Sequence, residues 1–480
     1  MIFENTLSPF LNEIQSREKN PSLESFPQIP TLLIECPHQL EGYLHPRTSQ
    51  HQENGKRVYS PIHRFMQRIS WAMENNWVPI LLSELPPKHT QEHRHQLQFG
   101  ALLWRWQSET WELNPRFNSQ IPQLQNFIEK ALNSEKLKLI GLFSSGSTGP
   151  SKLIFQSLEN YLASAKRSAK LLNLNSSTQV LSALPCYHNG GLLNLIRADL
   201  YGHPLLITGH KELLPQWKKS APDIIIGVPT QLLGGIEENS ALPTQTFYSG
   251  GAAIGAELLK KAQKLLRVIP TYGLTESCGA LLYQDLYQDN NTTGFQPMDQ
   301  VDFKIVNQRL SIRCPSLAHA IFSYHPKKNP AWNHHLYDGN QFFTTNDRAN
   351  LSGDGHIEIL GRTDQVMICS GENINPQEIA DIINSYFKRR EIIAQFQIMA
   401  IDDEVKGQIP VALIDGLEQW KSELRDELRD ELVMELRQHL SPLKRPRYLI
   451  SQPPIQSGIK LTHSEFNRLW KNGELIYWKI

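Results

Sequence analysis

The spacing of apolar positions changes along this chain, and each change marks a change of architecture. From residue 137 onward, short apolar runs alternate with longer segments in which apolar residues return every three to four positions. That is the rhythm of strands and amphipathic helices taken in turn. Residues 138–143 read as a strand, 158–172 as a helix, and 179–184 and 204–208 as strands. The run from Asp223 through Ile224, Ile225, Ile226 and Gly227 to Val228 is apolar almost throughout and stops at Pro229. A central strand of a parallel sheet, covered on both faces, reads this way. Residues 246–249 form a further strand leading into Gly250 and Gly251, and 256–266 a helix. The alternation predicts an α/β fold with mostly parallel sheets between layers of helices, and ligands gather beyond the carboxyl ends of such strands.

Upstream the pattern is sparser. Residues 30–35 and 77–82 look like short buried strands, with a helix over 62–75 between them, while 45–56, polar and rich in His and Gln, reads as an exposed loop that holds no metal. After residue 336 the character shifts to hairpins, with Asp338-Gly339 and Asp354-Gly355 as two-residue turn signals beside strands at 341–345 and 356–360. Beyond Gly361 the chain reads as a separate small α+β domain. Its most visible helix covers 417–440, with Trp420, Leu424, Leu428, Leu432, Leu436 and Leu440 four apart. A four-residue step overshoots one turn, so this stripe drifts round the helix and reads as core contact backed by a solvated Glu/Arg face.

Composition narrows the function classes. Lys+Arg and Asp+Glu are both 48 in 480 residues, which gives no reason to expect nucleic acid or an anionic membrane surface as partner. Five scattered cysteines suit a reducing compartment and neither a disulfide framework nor a zinc site. The first ten residues lack a basic head followed by an apolar core, and no apolar run approaches a membrane span. The expectation is a soluble cytoplasmic protein.

The chemistry is concentrated in a few short stretches. Residues 142–152 read LFSSGSTGPSK and gather Ser144, Ser145, Gly146, Ser147, Thr148, Gly149 and Lys152 into one loop. Glycines let backbone N–H groups turn toward an anion, hydroxyls add donors, and a lysine adds charge, so the loop fits a polyphosphate. The spacing is not that of a Walker loop, and the apolar residues after Lys152 predict a strand with the next helix delayed to Ser157. The loop would link two strands. A second stretch, TYGLTE, offers in Tyr272, Gly273, Thr275 and Glu276 a stacking face, a close backbone approach, a hydroxyl and a carboxylate. One carboxylate is enough for Mg²⁺ that arrives with a nucleotide.

These stretches, in this order, resemble the adenylate-forming family of acyl- and aryl-CoA synthetases, adenylation domains and luciferases. The resemblance runs over roughly residues 139–469. It implies a large N-terminal domain of layered α/β subdomains (1–360) that binds ATP and acid, a hinge (361–364), and a small mobile α+β C-terminal domain (365–480). Within it, Thr275 would contact phosphate, Glu276 would hold Mg²⁺, Tyr272 would pack on adenine, and Gly250, Gly251 and Ala252 would form the adenine-side turn. Asp347, in TTNDRA where the family usually has Thr-Gly-Asp, would accept both ribose hydroxyls; Arg362 would add a ribose or phosphate contact and Asp364 would be the pivot. Gly371 and Glu372 resemble the loop at the thiol tunnel, and Lys460 the family's essential lysine. The proline at 150 stands one place earlier than the family pattern.

Residues 183–202 resemble the matching segment of the family's o-succinylbenzoate–CoA ligase subgroup, with His188 in the acyl pocket and Arg197 nine residues on. The resemblance implies ATP, Mg²⁺ and coenzyme A as cofactors and co-substrate, and a small-molecule carboxylic acid as the other substrate. It leaves Arg197 open between an anchor for a second carboxylate and a helix-surface arginine. A ligase for another aryl or fatty acid, an enzyme loading a carrier protein, and a catalytically silent nucleotide-binding homologue are the other readings.

Overall fold

The computed structural model describes residues 31–36, 42–44, 51–53, 56–58, 65–66, 69–70, 72–73, 78–83, 102–105, 110–113, 122–144, 152–237, 245–254, 256–285, 294–324, 332–336, 341–363, 367–370, 372–374, 376–390, 392, 394, 396–403, 407–415, 417, 422–452 and 463–480. Two eight-stranded sheets dominate. In the first, Leu102–Arg105, Thr31–Cys36, Val78–Ser83 and Leu139–Ser144 run parallel. Lys152–Ser157 then pairs antiparallel with Leu139–Ser144, in a register that sets Ser144 opposite Lys152. The segment of hydroxyls and glycines between them therefore joins two adjacent strands, as the sequence predicts.

The delayed helix is also observed. Ser157 caps Leu158–Leu172 with a capping box: its Oγ accepts from the Asn160 N–H, and the Asn160 side chain accepts from the Ser157 N–H. The second sheet holds five parallel strands, Arg267–Leu274, Thr246–Ser249, Ile224–Gly227, Val180–Ser182 and Leu205–Ile207, with antiparallel strands at both edges. All four residues of Ile224–Gly227 are buried, and Pro229 opens the helix Pro229–Glu237, where its missing N–H has no helical partner to lose. Helices Leu158–Leu172 and Asn189–Tyr201 pack together over a continuous apolar core that spans both sheets.

A third sheet is a four-stranded antiparallel meander that ends in Phe343–Leu351 and Ile357–Arg362. A fourth, of six strands, is built entirely from residues after 366, with its own core. In it Leu428, Leu432, Leu436 and Leu440 are buried along and just beyond the helix Ser422–His439, so the drifting stripe is core contact.

Two local expectations are corrected. Residues 45–56 are not all loop: His51–Glu53 pairs antiparallel with Lys56–Val58. Glu53 faces Lys56, so Asn54-Gly55 joins them, and that dipeptide is itself a hairpin signal that the polar composition masks. The turn at Asp354-Gly355 is longer than two residues. Ser352 and His356 close it through the Ser352 N–H to His356 O bond of 2.9 Å, and Gly355 takes a φ of +84°. This is a three-residue hairpin loop with glycine in the left-handed position.

Candidate active site

Tyr272, Gly273, Thr275 and Glu276 lie on the strand Arg267–Leu274 and the single turn of 3₁₀ helix that follows it, Thr275–Ser277. The strand pairs in parallel with Thr246–Ser249 on one side and antiparallel with Gly279–Tyr283 on the other. At Gly273 the two chains approach so closely that a Cβ would lie 2.1 Å from the Gly279 carbonyl oxygen, so only glycine fits. Thr271 Oγ1 donates to Ser249 O at 2.8 Å, which sets the turn Ser249, Gly250, Gly251, Ala252 beside Tyr272.

Tyr272 reaches across to the third sheet. Its hydroxyl donates to Asp347 Oδ2 at 2.7 Å, and Arg362 Nη1 donates to Asp347 Oδ1 at 3.5 Å. Asp347 and Arg362 are direct cross-strand partners, and the aspartate is only 5% exposed. Burial, and then the neighbouring Asp347 carboxylate, push the Tyr272 phenol well above its ordinary pKa, so it remains a donor at neutral pH. Asn346, which replaces the family's glycine, accepts from Arg309 Nη2 at 2.7 Å, while its backbone carbonyl accepts from Thr363 Oγ1 at 3.0 Å. The substitution is absorbed by a side-chain partner.

The turn that carries Thr275 and Glu276 is held by its carbonyls, each by a donor from elsewhere in the fold. Thr275 O accepts from Asn189 Nδ2 at 2.8 Å and from Gln156 Nε2. Glu276 O accepts from the Ala318 N–H at 2.8 Å, Ser277 O from Ser316 Oγ at 2.8 Å, and Cys278 O from Ser164 Oγ at 2.7 Å. Arg167 closes the series with two bonds to Ala280 O at 3.2 and 3.0 Å. A buried backbone fixed this way leaves little freedom to the side chains it presents.

On the other side stands the helix Asn189–Tyr201. His188 is its N-cap residue, half-buried with its ring 4.6 Å from that of Tyr187. Arg197 is 3% exposed, which removes the helix-surface reading. Its Nη1 donates to Ser168 Oγ at 2.8 Å and its Nη2 to Asn194 Oδ1, while its Nε has no partner among the described residues. Burial lowers its pKa to about 10, so it stays cationic at neutral pH. No carboxylate among the described residues forms an ion pair with it.

Ser145, Gly146, Ser147, Thr148, Gly149, Asp364, Gly371 and Lys460 lie outside the described residues, and Glu372 is described only as part of the strand Glu372–Ile374. Among the described residues no cluster of three or more His, Cys, Asp or Glu could hold a metal by itself. Nucleotide-borne Mg²⁺ needs less, and half-buried Glu276 forms no ion pair with another described residue, so it fits that role.

Gln156, Asn189, Ser164, Arg167 and Ser316 were not singled out from the sequence. A signal for some of them exists: Asn160, Ser164, Arg167 and Ser168 recur at helical spacing on the buried face of Leu158–Leu172. Such a polar stripe reads as solvated surface until the helix is seen packed against Asn189–Tyr201.

Parallel sheets with a polar turn at the carboxyl end of one strand are thus in place, and the family model named AMP-binding enzyme matches residues 77–315. Residues 77–315 form an AMP-binding family domain. Among curated relatives, a 2-succinylbenzoate–CoA ligase of Staphylococcus epidermidis is 28% identical over 331 residues, covering 67% of each chain. One from Staphylococcus aureus is 28% identical over 362 residues, covering 72% of this chain and 69% of its own. Solved structures of o-succinylbenzoate coenzyme A synthetase from Bacillus subtilis share the fold. The complex with AMP has a TM-score of 0.64 at 17% identity, covering 91% of this chain and 87% of that one. The complex with ATP and magnesium ion has a TM-score of 0.62 at 18% identity, covering 92% and 87%.

Proposed function

We propose that this chain is an AMP-forming acid–CoA ligase that activates o-succinylbenzoate. The carrying observation is the junction of Tyr272, Asp347 and Arg362 beside the clamped Thr275–Glu276 turn, because it sets an acceptor-only carboxylate for ribose hydroxyls next to a hydroxyl and a carboxylate suited to phosphates. The names of the curated relatives support the acid.

A carboxylate is a poor acyl donor because its leaving group would be oxide, and attaching AMP supplies a good one. In the first half-reaction a substrate carboxylate oxygen attacks the α-phosphorus of ATP in line, and pyrophosphate leaves. Ser144 to Lys152 would cradle the departing phosphates, and Thr275 would hold a phosphate oxygen. Glu276 would hold nucleotide-bound Mg²⁺, whose charge would offset that of the phosphates. Lys460 would bridge carboxylate and α-phosphate as charge shifts between them. In the second half-reaction the thiol of coenzyme A attacks the acyl carbon and AMP leaves. Lys460 would first withdraw, with the segment at Arg362 to Asp364 as hinge between domains 1–360 and 365–480, and Gly371 and Glu372 would line the thiol's approach.

Arg197 supports a dicarboxylic acid. A buried guanidinium with no carboxylate partner among the described residues favours an anion, and o-succinylbenzoate retains one carboxylate after the other has reacted. His188 would pack against or gate the acyl group. The cysteines Cys186, Cys278, Cys314 and Cys369 are free and buried, which supports a reducing, cytoplasmic setting, and no helix among the described residues is long and apolar enough to cross a membrane.

Pyrophosphate exchange with a panel of acids, followed by acceptor assays with coenzyme A and a carrier protein, tests the reading. It predicts o-succinylbenzoate and coenzyme A as the best pair; preference for a monoacid or a carrier protein replaces the substrate, and exchange with no acid removes the activity. Lys460→Ala should abolish exchange while ATP binding, measured by calorimetry, persists.

A further inference from the structure

The helix Asn189–Tyr201 and the turn bearing Thr275 touch through a buried amide. Asn189, the first residue of the helix Asn189–Tyr201, is 7% exposed, and its side chain bonds in two directions. Nδ2 donates to the Thr275 carbonyl at 2.8 Å, and Oδ1 accepts from the Tyr161 hydroxyl at 3.0 Å. The orientation follows from the partners. A backbone carbonyl only accepts, so the amide must present its nitrogen there, and the oxygen then takes the proton of Tyr161. Burial raises the Tyr161 phenol well above its ordinary pKa, which keeps that proton in place.

Two consequences follow from position. Asn189 Nδ2 and Gln156 Nε2 donate to the oxygen at the base of the turn bearing Thr275 and Glu276, beside the turn's own bond from the Cys278 N–H at 3.2 Å. On its own helix, Asn189 follows His188 directly and stands eight residues, about two turns, before Arg197. A shift of this helix on binding an acid therefore acts on the peptide that presents the phosphate- and metal-facing side chains.

We propose that Asn189 is a positioning residue that couples occupancy of the acid pocket to the placement of Thr275 and Glu276, through the Thr275 carbonyl. The proposal rests on the reading above that acid binds along Asn189–Tyr201 and nucleotide beside Thr275. Coupling between two ligands is a ratio of affinities, and it is reciprocal.

The test is calorimetry on the full chain. The probe is the Mg²⁺ complex of an ATP analogue with a methylene group between the α- and β-phosphorus atoms, titrated with and without o-succinylbenzoate. In the parent protein the acid tightens the analogue about tenfold. In Asn189→Ala the ratio falls to about one while each ligand alone binds within about threefold of the parent, a pattern that a general loss of structure does not produce. Tyr161→Phe keeps the ring and removes only the proton that orients the amide; its ratio falls partway, and it decides the matter if Asn189→Ala does not fold. A parent ratio near one, or variants that keep the parent ratio, overturns the proposal. Exchange activity in the parent is measured alongside: its presence with an unchanged ratio in the variants defeats only this coupling, and its absence defeats the ligase reading itself.

Discussion

Asp347 answers to two donors at once, and its replacement separates their roles from that of a nucleotide. Asp347→Asn keeps the shape but turns one acceptor oxygen into a donor facing either Tyr272 or Arg362. A hydrogen bond to a charged group contributes about 1.5–3 kcal/mol, so the KM for ATP should rise about tenfold to a hundredfold, with the KM for the acid little changed in steady-state kinetics. Arg197→Gln should act on the other substrate. It should lower kcat/KM for o-succinylbenzoate about a hundredfold and leave turnover of a monocarboxylic analogue near the parent value, as measured in parallel exchange assays. Asp199, on the same helix, gives a pH signature. Burial pushes its carboxyl up to about 7 from an ordinary value near 4, and one of its oxygens has no partner among the described residues. Between these values the unfolded chain releases the proton that the folded chain keeps, so this group's contribution to stability falls as pH rises from about 4 to about 7 and is level above. Asp199→Asn removes that dependence. Its advantage in melting temperature over the parent should be small at pH 4 and larger at pH 8, and an equal difference at both would show that Asp199 is not buried as described.

At the scale of elements, the stripe on Ser422–His439 makes a stability prediction. Leu432 is 2% exposed in the core of the fourth sheet, so Leu432→Ala should cost about 2–5 kcal/mol, read as a lowered denaturant midpoint for the transition that involves this core. The elements were the most legible part of the chain, and the reason is physical. Strands buried on both faces, such as Ile224–Gly227, must be apolar throughout, and the helix start at Ser157 carries its cap in the sequence. The hairpin at His51–Glu53 and Lys56–Val58 was hidden because its side chains are mostly polar, leaving only Asn54-Gly55 to betray it. Among candidate site residues, Tyr272, Glu276 and Asp347 stood out in the sequence because each belongs to a short stretch dense with polar chemistry, and the structure joins Tyr272 to Asp347. Gln156 and Asn189 were not, because they act through a backbone carbonyl from distant positions in the chain, and a contact made only by folding leaves no local pattern.

For the whole molecule, the second sheet carries Tyr272, the antiparallel third sheet carries Asp347 and Arg362, and a further sheet with its own core follows in the chain after Arg362. In the proposed ligase reading, one lobe would hold ATP and acid, and the other would bring Lys460 for adenylation and yield its place to the thiol. The central claim is that an acid is adenylated here, and the most direct measurement is incorporation of labelled pyrophosphate into ATP by the purified full chain with Mg²⁺. The account predicts label in ATP when o-succinylbenzoate is present and background without acid. ATP bound by the protein, with no label incorporated under o-succinylbenzoate or any other carboxylic acid, would contradict it.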